Sequence, residues 1–443
     1  MNYKKLKMQE LKSICKKLHI KGYSSLNKDD LIKIIKKNLK SRKNMKVGGQ
    51  IENMGLTREE LLILLNSNEN NLKTLTELNL FYKKIKKINL GSFDGLINLK
   101  KLNLGFNDII EIIPSIFNEL STLKILNLGF NKITKIENGI FNKLSNLQQL
   151  NLNNNKITEI EEGAFNGLGK LQILNLSTNK IINILPSIFN ELSTLKILNL
   201  GFNKITKIEN GIFNKLSTLE ILNLSINKIT KIENKIFDEL SNLEMLDLSY
   251  NNITEIEIDS FNKLSTLKIL HLAGNNSSSN SDNTKIIEII PNIFNNLINL
   301  EELTLNNNKI TKILPSTFNG LGKLKILNLS TNNITEIIPN IFNNLSNLEE
   351  LILNNNKITK ILPSTFNGLG KLKILNLSTN NITEILPGTF NGLGKLEILN
   401  LSNNKNLKLL NNNKKNIKEQ KYTRWWSSKS IFTGLPNGAK VIF

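Results

Sequence analysis

Residues 195–218 read LKILNLGFNKITKIENGIFNKLST, and residues 219–242 read LEILNLSINKITKIENKIFDELSN. Leu195, Leu198, Leu200, Asn203, Ile205, Ile208, Phe213 and Leu216 return 24 positions later as Leu219, Leu222, Leu224, Asn227, Ile229, Ile232, Phe237 and Leu240. Working outward in both directions, the Asn recurs at Asn107, Asn131, Asn155, Asn179, Asn203, Asn227, Asn251 and Asn275, always 24 apart. It resumes at Asn308, Asn332, Asn356, Asn380 and Asn404 with the same step. The one longer gap, 33 residues, is a unit plus the nine polar residues SSSNSDNTK at 277–285. Phe keeps the same beat from Phe93 to Phe390. With an atypical first unit, in which Lys83 stands at the Asn position, 14 units cover about residues 75–410.

Each part of the unit has a physical task. The L-x-L alternation predicts a short strand with its Leu side chains inward. A strand of three to five residues cannot bury its face alone, so neighbouring units must stack in parallel. The Asn sits where the chain leaves the strand. Its amide can bond backbone groups of its own and the neighbouring turn, which would otherwise be buried unpaired at about 1–3 kcal/mol each. The Phe is expected to stack on its equivalents beneath the outer side. Seven Pro, at 114, 186, 291, 315, 339, 363 and 387, lie three residues before that Phe. They forbid strand pairing and block a helix there, so the outer side is expected to be irregular or 3₁₀-like.

The pattern L-x-x-L-x-L-x-x-N-x-I-x-x-I-x-x-x-x-F-x-x-L resembles the leucine-rich repeat family, in its 24-residue typical class. The resemblance implies an α/β solenoid, a horseshoe with a concave parallel β-sheet, and recognition of a protein partner. The chain departs from extracellular members in lacking cysteine clusters at its ends; Cys15 is its one cysteine. Sequons such as Asn175, Asn223 and Asn252 are then by-products of the repeat.

The positions flanking the inward Leu are expected on the concave face. Just before L-x-L stand Ile125, Ile173, Ile197, Ile221, Met245 and Ile269; just before the ladder Asn stand Phe130, Phe202 and Tyr250. We read these nine as the candidate protein-binding surface, since contiguous exposed apolar area marks interaction sites. The alternative is that Ile merely suits a strand and that units were copied wholesale. Residues 114–145 and 186–217 are indeed identical over 32 positions. The middle of L-x-L is Asn in most units, Asn199 among them, and reads as an exposed row without a structural task. The 277–285 insertion is either a tolerated polar loop or a shaper of a ligand site.

The net charge of +21 is uneven. Residues 1–48 hold 14 Lys and one Arg against three acids, and residues 405–443 hold nine basic groups against Glu419. The 356 residues between hold 34 basic and 33 acidic groups, so the array itself is close to neutral. Any polyanion argument therefore belongs to the flanks.

At the N-terminus, Leu11, Ile14, Cys15 and Leu18 predict one amphipathic helix over 7–19. Asn27 reads as an N-cap with Asp30 three residues on, opening a second helix with a Leu31, Ile34, Ile35, Leu39 stripe. LKSICKKLHIKGYSSLNKDDLIKII resembles the SAP and Rho-terminator N-terminal helix-extension-helix modules. That resemblance implies backbone contact with DNA or RNA, with Lys16, Lys17, Lys21, Lys28, Lys33, Lys36 and Lys37 as the candidate contacts. The alternative is a small docking module with a solvated basic surface. Cys15 lies on the apolar stripe and reads as a buried structural thiol.

Residues 48–56 read as linker, and Thr57 with Glu60 as a capping box opening a helix at 58–66 that lids the first unit. Beyond the array, Trp425 and Trp426 follow a basic stretch. That tail is either a cap over the last unit, with the IFTGL and KVIF segments, or a nucleic-acid or membrane-surface contact. The expected organisation is 1–47 basic helical module, 48–72 linker and capping helix, 73–411 repeats and 412–443 cap or tail.

Catalysis finds no support. There is no Gly-rich phosphate loop, no His-Glu-x-x-His, no cysteine pair, and His271 stands alone on the concave face. No catalytic residue, metal ligand, cofactor or small-molecule substrate is expected. No apolar run reaches the roughly 18 residues of a membrane helix, and no signal peptide is visible. The expectation is a non-enzymatic scaffold that binds a protein through its concave face, in an intracellular compartment and not secreted. The alternative is a nucleic-acid-binding protein that uses the array as a spacer. An Asn/Lys/Ile-rich chain joining such a head to leucine-rich repeats is similar to proteins of giant DNA viruses, which would place it in host cytoplasm.

Overall fold

The computed structural model describes residues 8–9, 11–12, 27–45, 55–65, 69–275, 289–407, 419–421, 435–436 and 438–442. The array is a parallel-sheet solenoid. Sixteen strands form one sheet, and 14 of them, from Glu77–Asn79 to Ile398–Asn400, are the L-x-L segments of successive units. Among these 14 strands pairing is parallel and in register: Ile173 faces Ile197, Ile197 faces Ile221, and Leu174, Leu198 and Leu222 align behind them. Ile269–His271 pairs directly with Glu302–Thr304, so the insertion interrupts the chain without interrupting the sheet.

Behind the sheet the Leu, Ile and Phe positions of every unit merge into one continuous core. The Phe rings form a column through it. Phe117 and Phe141 stack at 6.3 Å and 9°, and Phe342 and Phe366 at 6.5 Å and 2°. Truncating one such ring should cost about 3–5 kcal/mol.

The Asn ladder has the expected role. Asn203 Nδ2 donates to Leu200 O and to Leu176 O of the preceding unit, both at 3.0 Å. Its Oδ1 accepts from Ile181 N at 3.1 Å. The same set recurs along the array, and its two donor bonds span the insertion: Asn308 donates to Leu305 O and Leu272 O, while its Oδ1 accepts from the N–H of the ladder residue Asn275 itself. Asn107 takes over the N–H groups of Lys83 and Ile85 in the first unit.

The outer side follows the Pro reading in the main. Successive turns close through i→i+3 bonds, as in Leu120 N to Phe117 O and Leu123 N to Leu120 O. Ser115, Asn292, Ser316, Asn340 and Ser364, each following a Pro, have φ between 64° and 74°. A positive φ after Pro is what a type II turn requires. The exclusion of strand pairing needs correction. Lys135–Ile136 pairs with Glu159–Ile160, Lys231–Ile232 with Glu255–Ile256, and Lys360–Ile361 with Glu384–Ile385. The first two pairs occur where both units lack Pro. In the third, Pro363 and Pro387 fall just outside the paired residues and so delete no bond.

Both ends are covered. At the N-terminal end Thr57 caps the helix Arg58–Leu64 with the expected capping box. Leu61 and Leu72 are buried against the first unit, and Leu56 bridges Ile88. At the other end Lys440–Ile442 pairs in parallel with Ile398–Asn400, where a fifteenth unit would lie. Glu419–Lys421 closes the edge antiparallel. The segment Lys440–Ile442 therefore caps the last unit; Trp425, Trp426 and Phe443 lie outside the described residues. Ahead of the array the helix Lys28–Met45 starts at Asn27, whose side chain accepts from Asp30 N at 2.9 Å. Leu31 and Ile35 are buried as expected, but Ile32 is buried where Ile34 is half-exposed, a rotation of the apolar face by part of a turn.

Asn203→Ala should destabilise the array by about 1–3 kcal/mol, because one N–H and two carbonyls lose their buried partner. Asn203→Asp should do no better, since it keeps the acceptor but loses the donors. Urea unfolding with hydrogen exchange at Ile181 checks both; an unchanged midpoint would overturn the role given to the ladder.

Candidate functional site: the concave face and its aromatic edge

The in-register strands bring Ile173, Ile197, Ile221, Met245 and Ile269 into one half-buried row across five neighbouring units. Gln149 ends the row on one side and Glu302 on the other. Ile125 is cut off from it by Gln149 and belongs to no continuous patch. Beside the row run Asn175, Asn199, Asn223, Asp247 and His271. His271 is not isolated, as the sequence suggested: its Nε2 lies 3.1 Å from Glu302 Oε1 of the next unit.

The Asn row also needs correction, because it has a structural task. Asn199 Oδ1 accepts from Gly201 N at 3.0 Å, and Asn175 Oδ1 from both Ser177 N and Ser177 Oγ. These Asx turns tighten the exit from each strand. Asn199→Ala should therefore cost more than a free surface change, about 1 kcal/mol for a lost half-buried bond.

The residue three positions after each concave Asn reveals what sequence reading missed. Every residue just before the ladder position is left-handed: Tyr82, Phe106, Phe130, Asn154, Thr178, Phe202, Ile226 and Tyr250 have φ between 51° and 56°. For a β-branched Ile or Thr this is an outlier, at about 1–2 kcal/mol per residue. Each is held by its own N–H, which donates to the next unit, as in Phe202 N to Ser225 O at 2.9 Å and Ile226 N to Ser249 O at 2.8 Å. The conformation throws the side chain to the rim of the concave face. Phe130, Phe202 and Tyr250 are accordingly exposed, at 38, 54 and 53%.

Along the opposite edge runs a row of charges. Lys196 pairs with Glu220, Glu244 with Lys268, Glu301 with Lys325 and Glu349 with Lys373, at 2.6–2.7 Å. The partners are one unit apart, so only the strand register makes them visible. Lys325 and Lys373 hydrogen bond the Glu301 and Glu349 carboxyls and hold both below their ordinary value. A lowered carboxylate stabilises above its unfolded pKa and loses that contribution as pH falls through the folded one. Melting temperature should therefore drop on acidification below about pH 4.5, and less steeply in Glu349→Gln. Because these pairs are exposed, high salt should shrink the difference.

Of the N-terminal candidates, Lys28, Lys33 and Lys36 are exposed on the helix Lys28–Met45. Lys37 lies on the same helix, its side chain outside the described residues, as are Lys16, Lys17, Lys21, Cys15 and the 277–285 insertion. No helix among the described residues is long and apolar enough to cross a membrane, and no group of three His, Cys, Asp or Glu there could hold a metal ion.

A one-dimensional stack of strand-and-turn units with a concave parallel sheet and a buried Asn ladder defines a class of repeat solenoids. The chain belongs to the leucine-rich repeat family: its family model matches residues 121–181, 170–229, 217–277, 281–334, 298–358 and 346–406, and a second leucine-rich repeat model matches 98–120. The model of the Rho termination factor N-terminal domain matches residues 2–43. No curated protein matches by sequence. Among solved structures, the chain is similar to one in a complex of TLR13 with the RNA ssRNA13, at 28% identity and a TM-score of 0.63, covering 79% of this chain and 57% of that one. It is similar to a leucine-rich repeat protein of Leptospira interrogans at 30% identity and 0.55, covering 76% and 92%. It is similar also to a chain in the octameric complex of Latrophilin 3, Unc5D and the FLRT2 leucine-rich repeats, at 25% and 0.53, covering 62% and 80%. The chain thus spans little more than half the length of the first of these.

Proposed function

We propose that this protein is a non-enzymatic interaction scaffold that holds a protein partner on its concave face. The observation that carries this reading is the unbroken row Ile173, Ile197, Ile221, Met245 and Ile269, half-exposed on a rigid parallel sheet. A rigid, preformed apolar strip loses little entropy on binding. Phe202 and Tyr250 stand at its rim as anchors of the kind that dominate interface energies. The place of similar repeats in the Latrophilin 3, Unc5D and FLRT2 complex supports the reading. We read the compartment as intracellular. A single cysteine suits a reducing environment, and the array is closed by a helix and strands in place of disulfides.

Changing Ile173, Ile197 and Ile221 together to Lys should abolish partner capture and leave the circular dichroism spectrum native. Capture that survives the triple change would move the interface to another surface.

A second reading rests on the N-terminal segment, where a dense positive charge coincides with the Rho termination factor match. It makes residues 1–48 a contact for nucleic-acid backbone. With roughly four phosphates neutralised, log affinity for duplex DNA should fall with log salt at a slope near −3.6. Titrating residues 1–48 and residues 49–443 against one labelled duplex tests it. Absence of binding by the short fragment at low salt would make the segment a docking element.

A further inference from the structure

Aromatic residues occupy the left-handed rim position in three consecutive units only at the N-terminal end of the array, as Tyr82, Phe106 and Phe130. Farther along, Phe202 and Tyr250 are separated by Ile226 and form no column. At the N-terminal end the rings gather. Phe106 and Phe130 stack at 4.0 Å with planes 13° apart, and Phe81 leans on Phe106 at 4.9 Å and 51°. All of them are exposed, from 38% for Phe130 to 65% for Tyr82. Beside Phe130 the next unit supplies Asn154, so the column ends there.

Tyr82, Phe106 and Phe130 line one open cleft of about 430 Å³ with Lys84, Asp108 and Lys132; the rest of its wall is asparagine. No aliphatic side chain lines it. A groove built for Leu or Met anchors of a peptide would present such groups. This one offers aromatic faces, amides and cations. Lys132 is engaged by Asp108 at 2.6 Å, but among the described residues Lys84 has no carboxylate partner. Positive charge beside stacked, sequence-indifferent aromatic faces is the chemistry that single-stranded nucleic acid uses: bases on rings, phosphates on lysines. The basic segment 1–48 enters the array at this same end, so both could engage one strand at high effective concentration.

We propose that the cleft formed by Tyr82, Phe106 and Phe130 with Lys84 and Lys132 is a binding site for single-stranded nucleic acid. It stacks one or more bases on the aromatic column while the lysines hold the backbone. The site is separate from the Ile173–Ile269 row, and its success or failure does not depend on that row.

The test uses the full chain and fluorescence anisotropy with labelled oligothymidylate and oligouridylate of about a dozen nucleotides, the footprint of single-strand sites. A duplex of equal length is the reference. Phe106→Ala with Phe130→Ala should weaken both single strands at least about tenfold, the loss of one stacked base, with duplex affinity unchanged. Lys84→Glu should weaken them and flatten the salt slope by about 0.7 per lost phosphate contact. Phe202→Ala with Tyr250→Ala, at equivalent positions without the column, should change affinity less than about twofold, as should the Ile173, Ile197, Ile221 triple change. If truncation lowers the melting temperature, Phe106→Leu with Phe130→Leu keeps the bulk, removes the π-faces and should show the same loss. Tighter binding of either oligonucleotide supports the site and tells whether the 2′-hydroxyl is read. Wild-type affinity in both aromatic variants, or an equal loss on duplex and single strand, overturns it. Wild-type oligonucleotide binding joined to loss of a protein partner would reassign the patch to a protein interface.

Discussion

Every unit of this molecule hangs on one side-chain amide. The ladder Asn donates two hydrogens to carbonyls of two successive units and accepts one N–H from the turn of the preceding unit. No other short side chain supplies both donors and an acceptor in that geometry. The bonds lie where water cannot replace them, so each unit is stable only against its neighbour. The strand spacing, the outer turns and the Phe column all inherit their alignment from this coupling. The insertion illustrates its strength: across nine extra residues Asn308 still donates to carbonyls of both units and accepts an N–H from the preceding one.

The same turn stores backbone strain. The rim residue is left-handed in unit after unit, whether it is Asn, Thr, Ile or Phe. A single such residue would relax. Here the concave Asn, the ladder Asn and the inter-unit N–H bonds over-determine it from both sides. What the strain yields is a row of side chains lifted to the rim, free to vary because the backbone no longer depends on their identity. That is where the aromatic residues accumulate.

Periodicity made the array legible: the 24-residue step, the Asn and Phe positions and the number of units could all be read without coordinates. The capping box at Thr57 and Glu60 and the Lys440–Ile442 cap were legible too, because local chemistry specifies them. What escaped were features that exist only between units. The Lys196–Glu220 pair and the His271–Glu302 contact join residues 24 and 31 apart, and only the strand register brings them together. The left-handed rim escaped because sequence signals it through glycine, and only Gly274 stands there. The Asn199 row looked like free surface because an Asx turn leaves no mark beyond the Asn itself. Of the candidate binding surface, the row from Ile173 to Ile269 could be anticipated, whereas the isolation of Ile125 and the clustering of Phe81 with Phe106 could not.

The 32-residue identity between residues 114–145 and 186–217 follows from the in-register stacking. Because every bond between units repeats, a block of three units can be duplicated or deleted and the broken ends will meet partners of the right kind. Length is thus the quantity that can change at least cost in this architecture, at about 4.8 Å for each unit along the sheet. The molecule behaves as an adjustable ruler: its two caps and the aromatic cleft at one end stay constant while the distance between them is set by the number of copies.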